Sequence, residues 1–169
     1  MHDFERVPQV LHPRLQRFLD YWLKKRGDRR MPTREDVDPT EIQPLLPGIC
    51  LLDIHYQGEA VDRVRFRLAG TEIYEMAGFE VTGRFIDQIM PSERYAEVHR
   101  QFSWIVEHKE PVYRRFTWHA SPVTGVVYER ILAPLGPPEG RVSHFIGMHA
   151  IATDPDDRPL PQDTALPVG

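Results

Sequence analysis

Eight histidines, one cysteine and the carboxylates between residues 72 and 87 are the side chains of this 169-residue sequence whose types can do chemistry. Two imidazoles hold a metal from one helical face at His-x-x-x-His spacing, and no such pair occurs. The nearest, His144 and His149, differ by five on a strand-like segment and so point to opposite sides; scattered surface histidines are the expectation. Cys50 stands alone, which excludes an intrachain disulfide and a cysteine-based zinc cluster, and inside the apolar run ICLLDIHY it reads as an inert core thiol. Glu72, Glu75, Glu80 and Asp87 have the spacing of a solvated face rather than of an acid and base paired across a substrate. A nucleophile elbow, a Walker loop and a Rossmann fingerprint are all missing. Recognition is the chemistry that remains, and an enzyme is not expected.

Recognition needs a scaffold, and the stretch Arg63 to Pro91, RVRFRLAGTEIYEMAGFEVTGRFIDQIMP, shows its plan. Val64, Phe66 and Leu68 alternate with Arg63, Arg65 and Arg67, the period of a half-buried strand. Gly70 breaks the strand, Thr71 is a good N-cap, Ile73, Met76 and Ala77 repeat at helical spacing, and Gly78 suits the left-handed end of a helix. A second short apolar segment, Phe85, Ile86, Ile89 and Met90, stops at Pro91. Short helices beside a sheet frame a cavity more readily than they fill one.

Longer elements surround this stretch. From Leu11 to Lys25 the residues Leu11, Leu15, Phe18, Leu19, Trp22 and Leu23 fall on one helical face, ended by Gly27. This face either caps the chain's own sheet or pairs with a second copy, so Leu15, Phe18, Leu19 and Trp22 form a candidate interaction surface. The basic run KKRGDRR, Lys24 to Arg30, reads as a solvated helix end that suits the helix dipole. A proline-punctuated connection follows, with a small helix capped by Asp38, Pro39 in its first turn and Glu41 closing a capping box. Ile49 to Tyr56 is a buried strand in a hairpin with Asp62 to Leu68. Ser92 caps a long helix to about His108, with Tyr95, Val98, Phe102, Ile105 and Val106 on its apolar face and Trp104 nearly opposite, a candidate partner contact. Val112 to Ala120, Val126 to Leu135 and Val142 to Ile151, joined by the turn-rich SPVTG and GPPEG, make an antiparallel meander. Both faces of the resulting sheet need cover, and which face meets which helices is open. The expected organisation is a loose N-terminus over 1–10, an amphipathic helix over 11–30, a domain over 31–151 and a disordered, Pro- and Asp-rich tail over 152–169.

Composition bounds the partners. With 41% hydrophobic and 27% charged residues the chain fits one domain with a real core, and a net charge of -4 argues against nucleic acid. No apolar run approaches the ~20 residues of a membrane span. No signal-peptide core opens the sequence, so a soluble cytoplasmic protein with no membrane insertion is expected.

The order helix, two strands, short helices, long helix, three strands resembles a PAS domain. The words MPTREDVDPTEIQPLLPGICLLDI, RFRLAGTEIYEMAGFEVTGRFIDQIMP and the Pro111-Val112 pair resemble a bacterial PAS subfamily with a preceding amphipathic helix, over about residues 11 to 151. The resemblance implies an α+β fold: a five-stranded antiparallel sheet with short helices and one long helix inserted between strands two and three. It also implies a sensory or regulatory module that binds a small ligand, a protein partner, or both, in signal transduction. A ligand-free adaptor on the same scaffold is the alternative, and a small cavity enzyme, with His119 as first suspect, is a distant third. On this reading Leu68, Tyr74, Met76, Phe79, Phe85 and Ile89 line a pocket, with Tyr95, Phe102, Phe116, Trp118 and Tyr128 facing them. Tyr74, Arg115, His119 and Arg130 would orient the ligand or grip a carboxylate. Strand alternation sets Arg115 and His119 opposite Phe116 and Trp118, so both pairs cannot line one pocket. Paired strand arginines such as Arg114 and Arg115 are also normal on the wet face of a sheet. Some PAS sensors hold haem through one histidine of the long helix, which makes His99 the candidate here. The flavin-cysteine adduct of light-sensing relatives needs a cysteine between about Thr71 and Pro91, and none is there. The ligand itself is unspecified, and a homodimer or another signalling protein is the expected partner.

Overall fold

The computed structural model describes residues 11–117 and 126–152, together with the backbone of 165–167. Helix α1 (Pro13–Arg26) precedes strands β1 (Ile49–Gln57) and β2 (Ala60–Ala69), the short helix α2 (Thr71–Ala77) and the long helix α3 (Ser92–His108). Strands β3 (Val112–Thr117), β4 (Val127–Leu135), β5 (His144–Ile151) and β6 (Ala165–Pro167) complete it. All neighbours in the sheet are antiparallel, in the order β2-β1-β5-β4-β3-β6. The five expected strands are present with the helices between the second and third. The sixth, β6, adds to the edge of β3 and takes residues from the stretch expected to be a disordered tail. The expectation of a loose N-terminus lies outside the described residues.

The sheet is covered on both faces, and strand parity assigns the sides. On β5, Phe145 stacks on Phe102 of α3 at 5.3 Å, so Phe145, Gly147 and His149 share the face under α2 and α3. Ile146, Met148 and Ala150 point the other way, where α1 lies. The indole of Trp22 donates to the Pro134 carbonyl at 3.0 Å, and Leu15, Phe18, Leu19 and Trp22 are all buried. The helix face proposed as an interaction surface is therefore spent on the chain's own sheet, because four large apolar side chains gain more from that ready-made cover than from water. Only Leu23 of that stripe stays exposed. Trp104 is half-buried and stacks on His108 at 4.2 Å.

Local rules place the corners, with adjustments. Gly27 and Gly78 end their helices at φ of 57° and 81°. Asp38 caps the proline-rich 3-10 turns by accepting from the Thr40 N–H at 2.9 Å, but Glu41 does not close a capping box. Its carboxylate instead meets Lys25 at 2.6 Å and Tyr21 at 3.0 Å, which ties the helix end to the connection. Two more residues of the basic run are used within the chain: Arg29 pairs with Asp36 at 2.8 Å, and Arg30 donates to the His108 carbonyl.

Candidate functional site

Between the sheet and the short helices lies a cavity of about 50 Å³. Its walls are apolar: Cys50 and Leu52 from β1, Phe66 from β2, Ile73, Met76 and Ala77 from α2, Ile86 and Ile89 from the following turn, and Val98 from α3. Gly147 keeps the floor low. A Cβ there would stand 2.9 Å from the Cys50 sulfur, so the strand's missing side chain lets its neighbours close in.

The floor also carries charge. Arg114, Arg130 and His149 are direct cross-strand neighbours on β3, β4 and β5, and all three face the cavity. They are 3%, 9% and 8% exposed, so a row of cationic types is buried where like charges oppose one another at close range. Arg94 of α3 joins the lining and donates to the Thr117 carbonyl at 2.9 Å. No carboxylate lines the cavity among the described residues. Glu97 stands 3.5 Å from Arg114. Arg130 donates to the neutral amide oxygen of Gln101 at 2.6 Å, and its Nε has no hydrogen-bond partner.

Electrostatics follow from this burial. Burial, then the neighbouring Arg114, brings the Arg130 guanidinium down to about 9. Burial, then Arg130, brings His149 down to about 3, so its ring is neutral at ordinary pH, with Nδ1 unpartnered. Burial pushes the Cys50 thiol up to about 12, which leaves it protonated and inert.

A wider groove of about 520 Å³ lies outside, bounded by His12, Arg14, Glu72, Glu75 and Tyr128. Met76 and His149 border both the groove and the inner cavity, so these two side chains stand between the cavity and the open groove.

A PAS domain family model matches residues 10–150, which spans the helix, the sheet and the cavity just described. The chain belongs to the PAS domain family. PAS domains are sensory and regulatory modules, typically without catalytic activity of their own, and this one keeps its cavity between sheet and short helices. No curated protein matches the chain. Among the described residues no helix is long and apolar enough to cross a membrane, and no cluster of three metal-ligating side chains occurs.

The pocket expected from the sequence is only partly the one the PAS domain has. Met76, Ile89, Phe116 and Arg130 line the cavity, and Tyr128 lines the outer groove. Leu68 does not, because a bulge on β2 interrupts the alternation: Phe66 pairs with Leu52 but Leu68 pairs with Leu51, which turns Leu68 onto the opposite face at 55% exposure. Tyr74 is exposed on the outer side of α2. Phe79 packs under Arg84 and Phe85 under Arg63, both outside the lining. Phe102 belongs to the stacked core. Tyr95 and His99 sit side by side outside the lining, and His99 Nε2 meets the Val61 carbonyl at 2.8 Å. An iron ligand needs that nitrogen free and room for a porphyrin, so the site does not fit haem through His99. Arg115 points to the other face, as parity with Phe116 requires, while Trp118 and His119 lie outside the described residues. Arg114 and His149 escaped the sequence reading, the first as a wet-face arginine and the second as a surface histidine. The signal was present in β3, where Arg114 has the parity of Phe116.

Proposed function

We propose that this chain is a cytoplasmic PAS sensory module that holds a small ligand between its sheet and short helices and passes occupancy to a protein partner, a second copy or another signalling protein. The cavity carries this reading, because two of its wall residues also border a groove that opens to solvent. Occupancy would move Met76 and the helix that bears it, a shift between packings of the kind by which ligands bias an equilibrium. The sheet beneath is one residue thick, with the cavity on one face and α1 on the other.

The cavity's small volume favours a second reading, an adaptor whose interior is filled by its own side chains. An enzyme has less support. His149 is the strongly shifted histidine of the pocket, but a base whose conjugate acid titrates near 3 is too weak to take protons at neutral pH, and the adjacent thiol is not ionised. Native mass spectrometry of protein purified without refolding, with an absorbance spectrum of the same sample, tests the proposal. A stoichiometric extra mass supports the sensor. A clean apo mass, joined to no thermal shift with any small molecule tried, supports the adaptor.

A further inference from the structure

Among the described residues no carboxylate pairs with Arg130 on the cavity floor. Arg130 is 9% exposed, and its hydrogen bond among the described residues goes to a neutral amide. The groups that act on it electrostatically, apart from its own burial, are another arginine and an un-ionised thiol. A guanidinium withdrawn from water without a carboxylate costs several kcal/mol and is retained where something else compensates it. Its Nε is unpartnered, and beside it the equally buried His149 presents an unpartnered Nδ1. Both side chains border the cavity. We infer that the missing anion is the ligand: the cavity takes a small organic acid, its carboxylate held by Arg130 with Arg114 alongside and its apolar body against Leu52, Phe66, Met76 and Ile89.

The inference rests on the reading of the cavity as a ligand site and names its chemistry. A carboxylate satisfies a guanidinium edge with two parallel charge-assisted hydrogen bonds, which a neutral amide does not. The walls select against a bare inorganic anion, because apart from Arg94, which donates to the Thr117 carbonyl, the helix side offers only apolar contact. Size limits the acid. A buried water needs on the order of 10–15 Å³ measured this way, so the closed cavity admits a short chain, and longer acids require Met76 to turn toward the groove.

Isothermal titration calorimetry on the full chain tests the inference with butyrate, hexanoate and phenylacetate, each beside its neutral amide, and with inorganic phosphate. At least one acid is expected to bind about tenfold or more tightly than its amide, the size of a charge-assisted hydrogen bond. Arg130→Met is expected to remove that preference and leave amide binding in place. Since Arg130→Met orphans Gln101, the paired variant Arg130→Met with Gln101→Leu serves as the folding control, and its ligand-free Tm is expected to be no lower than that of the wild type. Equal binding of acids and amides overturns the anion and leaves the cavity as a ligand site. Phosphate binding as tightly as the best acid overturns the organic body. A lower Tm of the paired variant makes Arg130 a structural cation and overturns the inference. No binding by either class, together with a clean apo mass, overturns both the inference and the sensor reading beneath it.

Discussion

The two faces of this sheet are built from the same strands and finished differently. Under α1, Ile131, Ala133, Leu135 and Met148 are all at 0% exposure, and the one polar group that the helix pushes into them, the Trp22 indole, finds a carbonyl. Tyr113 and Glu129, on the same face, satisfy each other at 2.6 Å. Under α2 and α3 a cavity persists, two cationic side chains oppose each other in one row, and buried nitrogens lack partners. A buried nitrogen also lacks a hydrogen bond at Arg26 of α1, so the faces differ in the cavity and in the opposed cations, and departures of that kind gather at functional sites. The helical α1 face is a stabiliser; the other face gives up stability for recognition.

Truncation on the stabilising face should produce the largest effect. Trp22→Ala removes a fully packed indole and its hydrogen bond, and should cost about 3–5 kcal/mol in denaturant unfolding. A loss below about 1 kcal/mol would mean that α1 does not pack on the sheet in solution, and the contrast between the faces would collapse.

A matched pair of enlargements sharpens the contrast. Ala133 is enclosed on the α1 face, while Ala77, 3% exposed, lines the cavity. Ala133→Leu should cost about 1–3 kcal/mol by overpacking. Ala77→Leu has void to grow into, so its stability should hold or rise, and binding of any cavity ligand should fall. Equal losses at both sites would show that the cavity is closed by side-chain motion.

Acid separates the faces next. His149 titrates near 3 in the folded chain against an ordinary value of 6.5, so the unfolded chain binds the extra proton between those limits. Stability is therefore full above about pH 6.5 and falls as the pH drops toward 3, by about 1.4 kcal/mol per pH unit, or about 2 kcal/mol between pH 6.5 and 5. His149→Asn should flatten that slope, as read from urea midpoints across the range. An unchanged slope would place the ring in water, and with it the cavity floor.

The fold was legible because periodicity states which face is apolar. Helix α1, the two strands flanking Gln57 and the long helix all announced themselves in this way. The site was less so, for two physical reasons. A bulge costs no special residue type, so nothing in RVRFRLAG tells that Leu68 turns away from Phe66. Burial of charge is also invisible in a local window: Arg114 and Arg115 look alike in sequence, and both are buried, but only parity with Phe116 puts Arg114 over the cavity. His149 needed the sheet order, since the pairing of β4 with β5 brings it beside Arg130 from nineteen residues away.

The smallest effect concerns the place where the two faces meet. Arg14 of α1 reaches around the sheet's end to Glu72 of α2 at 2.8 Å, at the edge of the outer groove. Both side chains remain partly in water, at 28% and 40% exposure, so the pair is screened and each long side chain gives up rotamer freedom to make it. Glu72→Gln should cost about 0.2–1 kcal/mol, and the difference should vanish in 1 M salt, where charges are screened within about 3 Å. That outcome leaves α1 and α2 mechanically independent, and any message from the cavity to α1 must then cross the sheet through β4 and β5. A loss well above 1 kcal/mol that survives high salt would instead make the pair a rigid strap between the faces. Movement of α2 on ligand binding would then pull directly on α1, and the sheet would be a bystander to the signal.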